Sequence, residues 1–298
     1  MDDHVHFTDF TRKRRGPPLN QALEPAARAI AQADALVLAA GAGMGVDSGL
    51  PDFRGHGGFW RAYPPLAKLG LEFEQMANPG WFVLDPALAW GFYGHRLNLY
   101  RRTPPHAGFD ELLRWVRAKP GGGFVFTSNV DGHFQRSGFL DGEVAECHGS
   151  LQHLQCVRNC RAALWPMPAE LAFRVDAASC RAIGELPRCP HCGAMARPNV
   201  LMFGDSGWEP SRSDGQDRAF GEWLDARAEA RLTVIELGAG TTIPSVRHRS
   251  EELQRQGAVL LRINPGAAAG PAGTISLISG ALTAIRALTR FSAGLLLV

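Results

Sequence analysis

The chain runs to 298 residues with a formal net charge of +2 and a 45% hydrophobic fraction, which suits one large domain with a smaller satellite and leaves too little chain for two full α/β domains. The near-neutral balance excludes a strong non-specific pull toward nucleic acid or an anionic membrane surface. No apolar run approaches the ~20 residues needed to cross a bilayer and no signal-peptide core opens the chain, so neither a nucleic-acid partner nor a membrane is expected.

Residues 1–18 hold the basic run Arg12-Lys13-Arg14-Arg15 and end at Pro17-Pro18; they read as a flexible N-terminal arm. Leu23, Ala26, Ala27, Ile30 and Ala31 recur at helical spacing and predict a helix over 19–33. Residues 36–39, four apolar positions bounded by glycines, predict a buried parallel strand. Behind it Gly41, Gly43 and Gly45 strip side chains from the backbone, so that a phosphate could approach the N–H groups of the next helix. Alone this hexamer is a weak dinucleotide signal, because the third glycine of the usual fingerprint falls at Val46. No acidic residue closes a second strand about twenty residues on, which argues against hydride transfer.

The stretch 59–80, rich in Trp, Pro and Leu, predicts a mobile, partly helical lid, and 55–105 as a whole the lid and helical part of a small domain. Leu88, Trp90, Phe92, Leu97 and Leu99 predict a helix over 86–102, and residues 109–116 another. A glycine turn at 121–123 leads into a buried strand that ends at Thr127 in the polar run 128–133. The same construction recurs at 232–237 before the loop 238–242, and at 258–263 before Asn264. Four strand-to-polar-loop junctions argue for an α/β fold with a doubly wound, parallel Rossmann-like sheet, built from 19–150 and 198–298. Further candidate strands are 200–203 and 274–278, and the short apolar close at 293–298 is expected to dock or to mark a chain end.

All six cysteines fall between Cys147 and Cys192. With no export signal, that clustering reads as metal ligation in a reducing, cytoplasmic compartment, not as a disulfide framework. Cys189-x-x-Cys192 lets two thiolates reach one tetrahedral ion, and Cys156-x-x-x-Cys160 is one residue wider. Residues 151–197 thus read as an inserted zinc-binding module, with too few large apolar residues to hold itself together by burial and a structural Zn²⁺ to supply the missing stability. Cys160 is the least regular ligand, and Cys180 or His191 could take its place. Four thiolates leave no open position on the ion for catalysis.

The run Gly41-Ala42-Gly43 followed by Ser48-Gly49-Leu50-Pro51-Asp52-Phe53-Arg54 resembles the signature of the sirtuins, the NAD-dependent protein lysine deacylases. Thr127-Ser128-Asn129-Val130-Asp131-Gly132 is similar to the family's Thr-Gln-Asn-Ile-Asp-Gly, with serine at the glutamine position. Glu146-Cys147-His148-Gly149 corresponds to the family's catalytic histidine and its glycine, and residues 197–205 resemble Arg-Pro-x-Val-Val-x-Phe-Gly-Glu. Gly238, Gly240, Thr241 and Thr242 match the family's Gly-Thr-Ser loop. The likeness extends over about residues 35–265.

The resemblance implies NAD and Zn²⁺ as cofactors and acyl-lysine proteins or peptides as partners. It assigns NAD binding to Gly41, Ala42, Gly43, Asp52, Phe53, Arg54, Ser128, Asn129, Asp131, Gly238, Gly240, Thr241 and Asn264, and the zinc to the two cysteine pairs. It makes His148, Asn129 and Asp131 the reaction centre, and Phe203 and Gly204 the place where an extended peptide is taken up by strand addition. Implied products are nicotinamide, free lysine and O-acyl-ADP-ribose, with His148 as base and Phe53 shielding the reactive carbon. His106, His133 and His153 read as structural. Tyr93 and Arg96, three apart and so on one helix face, resemble the Tyr-x-x-Arg pair of sirtuins that remove succinyl and malonyl groups. Rival readings are an NAD glycohydrolase or ADP-ribosyltransferase on the same scaffold, or a non-catalytic NAD-sensing module.

Overall fold

A computed structural model describes residues 19–51, 63–68, 70–161 and 163–295. The expectations for the arm at 1–18, for Asp52, Phe53 and Arg54, and for the first part of the lid lie outside the described residues.

The sheet is organised by β1, Ala35–Ala40, in which all six residues are buried. Such a strand has to be covered on both faces and paired on both edges. It pairs in parallel with β2 (Gly123–Thr127), which pairs with β3 (Val144–Glu146). The chain then leaves the sheet for a smaller lobe. There β4 (Gly149–Cys156) pairs antiparallel with both β5 (Trp165–Pro166) and β8 (Ala196–Val200), while β6 (Arg174–Val175) and β7 (Ala182–Ile183) form a ribbon. It returns on the other side of β1 with β9 (Leu232–Leu237), β10 (Val259–Ile263) and β11 (Ile275–Leu277). The resulting order, β11-β10-β9-β1-β2-β3, is the parallel, doubly wound arrangement, and it reverses direction between β1 and β9, where ligands of such sheets bind.

The strand alternation sorts the core into two layers. Leu36 and Leu38 face helices Leu19–Gln32, Ala107–Arg117 and Ala281–Leu295, while Val37 and Ala39 face Ser211–Asp225 and Ser245–Arg255. The helix Pro86–Arg102 belongs to neither layer. Trp90, Phe92 and Tyr93 are buried against the inserted strands, with Trp90 stacked on Phe173 at 4.7 Å and its Nε1 donating to Ala196 O at 3.0 Å. A Cβ at Gly91 would lie 1.8 Å from the Cys180 carbonyl oxygen, and one at Gly94 2.4 Å from the Phe173 ring, so the glycines set the approach. None of the described helices is long and apolar enough to cross a membrane.

Two strands differ from expectation. The strand expected at 200–203 lies at Ala196–Val200; beyond Val200 the chain turns away because Asp205 accepts the Met202 N–H and pairs with Arg197. That expected at 274–278 is trimmed to Ile275–Leu277.

Candidate active site

At the switch point the loops after β1 and β9 touch backbone to backbone. Gly41 N donates to Leu237 O at 2.9 Å and Gly43 N to Gly238 O at 3.0 Å. A Cβ on Gly41 would sit 2.7 Å from Ala239 Cα and one on Gly43 2.7 Å from Gly238 Cα, while Gly238 itself has φ +60°. These glycines are therefore required by loop-on-loop packing, a different reason from the open phosphate approach expected of them. Gly240 has no atom within 4 Å of such a Cβ, and Thr241 beside it is exposed. Asn264 spends its side chain on the scaffold, donating to Ala239 O at 3.0 Å and accepting from Gly266 N and Ala267 N.

An adjoining cavity of about 330 Å³ is lined by Ala42, Ser128, Asn129, Asp131 and His148 together with Tyr93, Arg96, Tyr100, Phe203 and Gly204. The Thr127 hydroxyl donates to Ala40 O at 2.9 Å and accepts the Asn129 N–H at 3.0 Å, tying the ends of β1 and β2 together. Asn129 Nδ2 donates to Gly41 O at 3.0 Å. Its amide oxygen, an acceptor by chemistry, has no partner among the described residues. Asp131 accepts the His133 N–H at 2.9 Å.

His148 lies in the crossover from β3 to β4. Gly149 after it has φ +74°, and a Cβ there would fall 2.1 Å from Asn199 O, so only glycine lets β4 close on β8 at this point. Cys147 N donates to Thr127 O and Leu201 N to His148 O, fixing the backbone on both sides. The ring's Nε2 is 3.1 Å from Ser245 Oγ, on the first turn of the helix that follows the β9 loop.

Arg96, on the same cavity wall, is only 8% exposed, so it is not a solvated surface residue of its helix. Its guanidinium carbon lies 5.4, 5.9 and 5.5 Å from the ring centres of Phe92, Tyr93 and Tyr100. Tyr100 Oη accepts from both Nε, at 3.1 Å, and an Nη, at 2.8 Å. Burial pushes the Tyr93 phenol's pKa up, against the pull of the Arg96 charge. Tyr100 was not singled out in the sequence, although it sits four residues past Arg96, where helical spacing puts it on the same face. Phe203 N donates to Ala77 O at 2.9 Å, and its ring meets Phe73 edge-on at 6.2 Å. The loop carrying Phe203 and Gly204 (φ +65°) is braced by the buried, bidentate Arg197–Asp205 pair at 2.8 and 2.9 Å.

The sulfurs of Cys156, Cys160, Cys189 and Cys192 lie within 4.8 Å of one another, with Cys156–Cys192 and Cys160–Cys189 each at 3.6 Å. A zinc tetrahedron with Zn–S of about 2.3 Å has edges of about 3.8 Å, so the donor set fits Zn²⁺. Cys160 is part of the cluster. Cys180 instead is buried against the Pro86–Arg102 helix, and His191 is not in the donor set. His106 is structural, accepting the Gly108 N–H and bonding Met44 O.

A model of the Sir2 family matches residues 41–214. The chain is similar to NAD-dependent protein deacylase 1 of Archaeoglobus fulgidus, 31% identical over 80% of this chain and 84% of the relative. Among solved structures it resembles a Sir2 homolog–NAD complex, with 26% identity, a TM-score of 0.67 and coverage of 92% of this chain and 94% of that one. It is equally like a Sir2 homologue mutant in complex with 2′-O-acetyl ADP-ribose, with 26% identity, a TM-score of 0.67, and coverage of 92% and 97%.

Proposed function

The chain belongs to the Sir2 family, and we propose that it removes acyl groups from protein lysines while consuming NAD, releasing nicotinamide and O-acyl-ADP-ribose. The observation that carries this reading is one cavity whose wall carries His148, Asn129 and Asp131 together with Phe203.

Each residue's role follows from its chemistry. His148 is the base: an imidazole can take a proton from a ribose hydroxyl and later return it, and Ser245 Oγ at 3.1 Å holds its ring in one orientation. Asn129 is anchored through its NH₂ and presents its carbonyl oxygen to a ribose hydroxyl. Asp131, held by the His133 N–H, accepts from the nicotinamide carboxamide. Ala42 and the loop 238–241 border the cofactor's phosphates. The extended acyl-lysine peptide lies along residues 203–204, with the lysine stem passing Phe203. Structural zinc, held by the four cysteines, takes no part in the reaction.

Acidic acyl chains, succinyl or malonyl, are the preferred cargo. A buried guanidinium beside Tyr93 and ringed by aromatic groups offers an acyl carboxylate a charge-assisted, forked contact that an acetyl group cannot use. The test is His148→Ala. The variant is expected to keep the fold and ADP-ribose binding while losing lysine deacylation, and turnover at the wild-type rate would overturn the assignment.

A further inference from the structure

A second cavity, of about 370 Å³, adjoins the catalytic one at Asp131, which belongs to both walls. Three arginines reach it. Arg101 donates to the carbonyls of Pro168, Ala169 and Leu171, and Arg136 to those of Tyr100 and Thr103. Neither forms an ion pair among the described residues, so the carbonyls fix both guanidinium forks without cancelling their charge. Arg212 gives one Nη to Glu146 at 2.5 Å, and its other Nη is buried with no hydrogen-bond partner. His153 Nδ1, on the same wall, is likewise buried and unpartnered.

Buried polar atoms in native proteins are almost always paired, and here two side chains that line one cavity, Arg212 and His153, each carry an unpaired buried nitrogen, beside two anchored cations. Of the carboxylates on that wall, Glu146 is taken by Arg212, Asp131 accepts the His133 N–H, and Asp141 is exposed to solvent. Burial, then the charge of Arg212, lowers the His153 pKa to about 4, so near neutral pH the ring brings no charge of its own.

We propose that this cavity is a binding site for a small oxyanion, a phosphate or carboxylate group, held by Arg101, Arg136, Arg212 and His153. Planar guanidinium forks suit both oxyanions, which share the arrangement of acceptor oxygens that a bidentate contact needs.

The experiment is calorimetric titration of the zinc-loaded full chain with inorganic phosphate and, separately, with malonate. Saturating ADP-ribose is kept present so that the cofactor cleft cannot account for the heat. One saturable site is expected for at least one anion, and which anion binds tells phosphate from carboxylate. Arg136→Gln should weaken that binding tenfold or more with an unchanged melting temperature, Arg101→Gln should weaken it as well, and Arg96→Met, in the catalytic cavity, should leave it unchanged. Absence of saturable heat with both anions, or equal affinity in Arg136→Gln, would overturn the proposal and leave the cavity to water.

Discussion

The two lobes are held together by different means. In the parallel sheet, β1 is buried along its whole length and covered by helices on both faces. In the inserted lobe β5, β6 and β7 are two residues long and partly exposed, and among the described residues the cluster around the thiols contains only Cys156, Cys189 and Ala194 as buried members. Apolar burial holds the first, and a metal must do so for the outer part of the second. The proposed reaction centre lies where they meet, with His148 in the crossover between β3 and β4. Its geometry depends on both.

Removing the metal should break the comparison most sharply, since a structural zinc site of this type carries an apparent binding free energy of about 10–16 kcal/mol. Chelation, or Cys189→Ser, should raise hydrogen exchange across residues 156–195 while β1 and β9 stay protected. Equal loss in both lobes would mean that the sheet also leans on the zinc. Next in size, His148→Ala should cost about 10²–10⁴-fold in deacylation with no change in exchange in either lobe.

Leu38→Ala, in the middle of β1, should lower unfolding free energy by about 2–5 kcal/mol, seen as a shift of the denaturant midpoint. Arg96→Met should slow desuccinylation about tenfold, roughly the loss of one charged hydrogen bond, and leave deacetylation nearly untouched. Equal losses on both peptides would remove the acidic-acyl preference. The smallest effect is expected at the exposed rim of the sheet. Hydrogen bonding to Arg231 holds the Asp34 carboxyl at about 2, below its ordinary 3.8. The stability it contributes is therefore present above pH 3.8 and lost as pH falls toward 2. Asp34→Asn should flatten thermal melts in that window and change little at pH 7.

What could be read in advance follows the same division. β1, β2, β9 and β10 were legible because apolar runs ending in glycine or polar loops have few other uses. β8 was misplaced because its sequence, Ala-Arg-Pro-Asn-Val, looks like a loop. It is fully buried only because Arg197 finds Asp205 and Asn199 finds Gln155 and the Glu209 carbonyl, partners that no local pattern reveals. The close approach at Gly91 and Gly94 of the Pro86–Arg102 helix was not legible, because Cys180 and Phe173, which make it, lie far along the chain. Asn264 matched a cofactor position by resemblance and is found tying the β9 and β10 loops together.

The central claim is tested most directly by incubating the zinc-loaded protein with NAD, with and without a succinyl-lysine peptide, and following nicotinamide and the acyl group by mass spectrometry. Nicotinamide should appear only when the peptide is present, in one-to-one ratio with free lysine and O-succinyl-ADP-ribose. Nicotinamide release at the same rate without peptide, yielding plain ADP-ribose, would contradict the account and mark the protein as an NAD glycohydrolase.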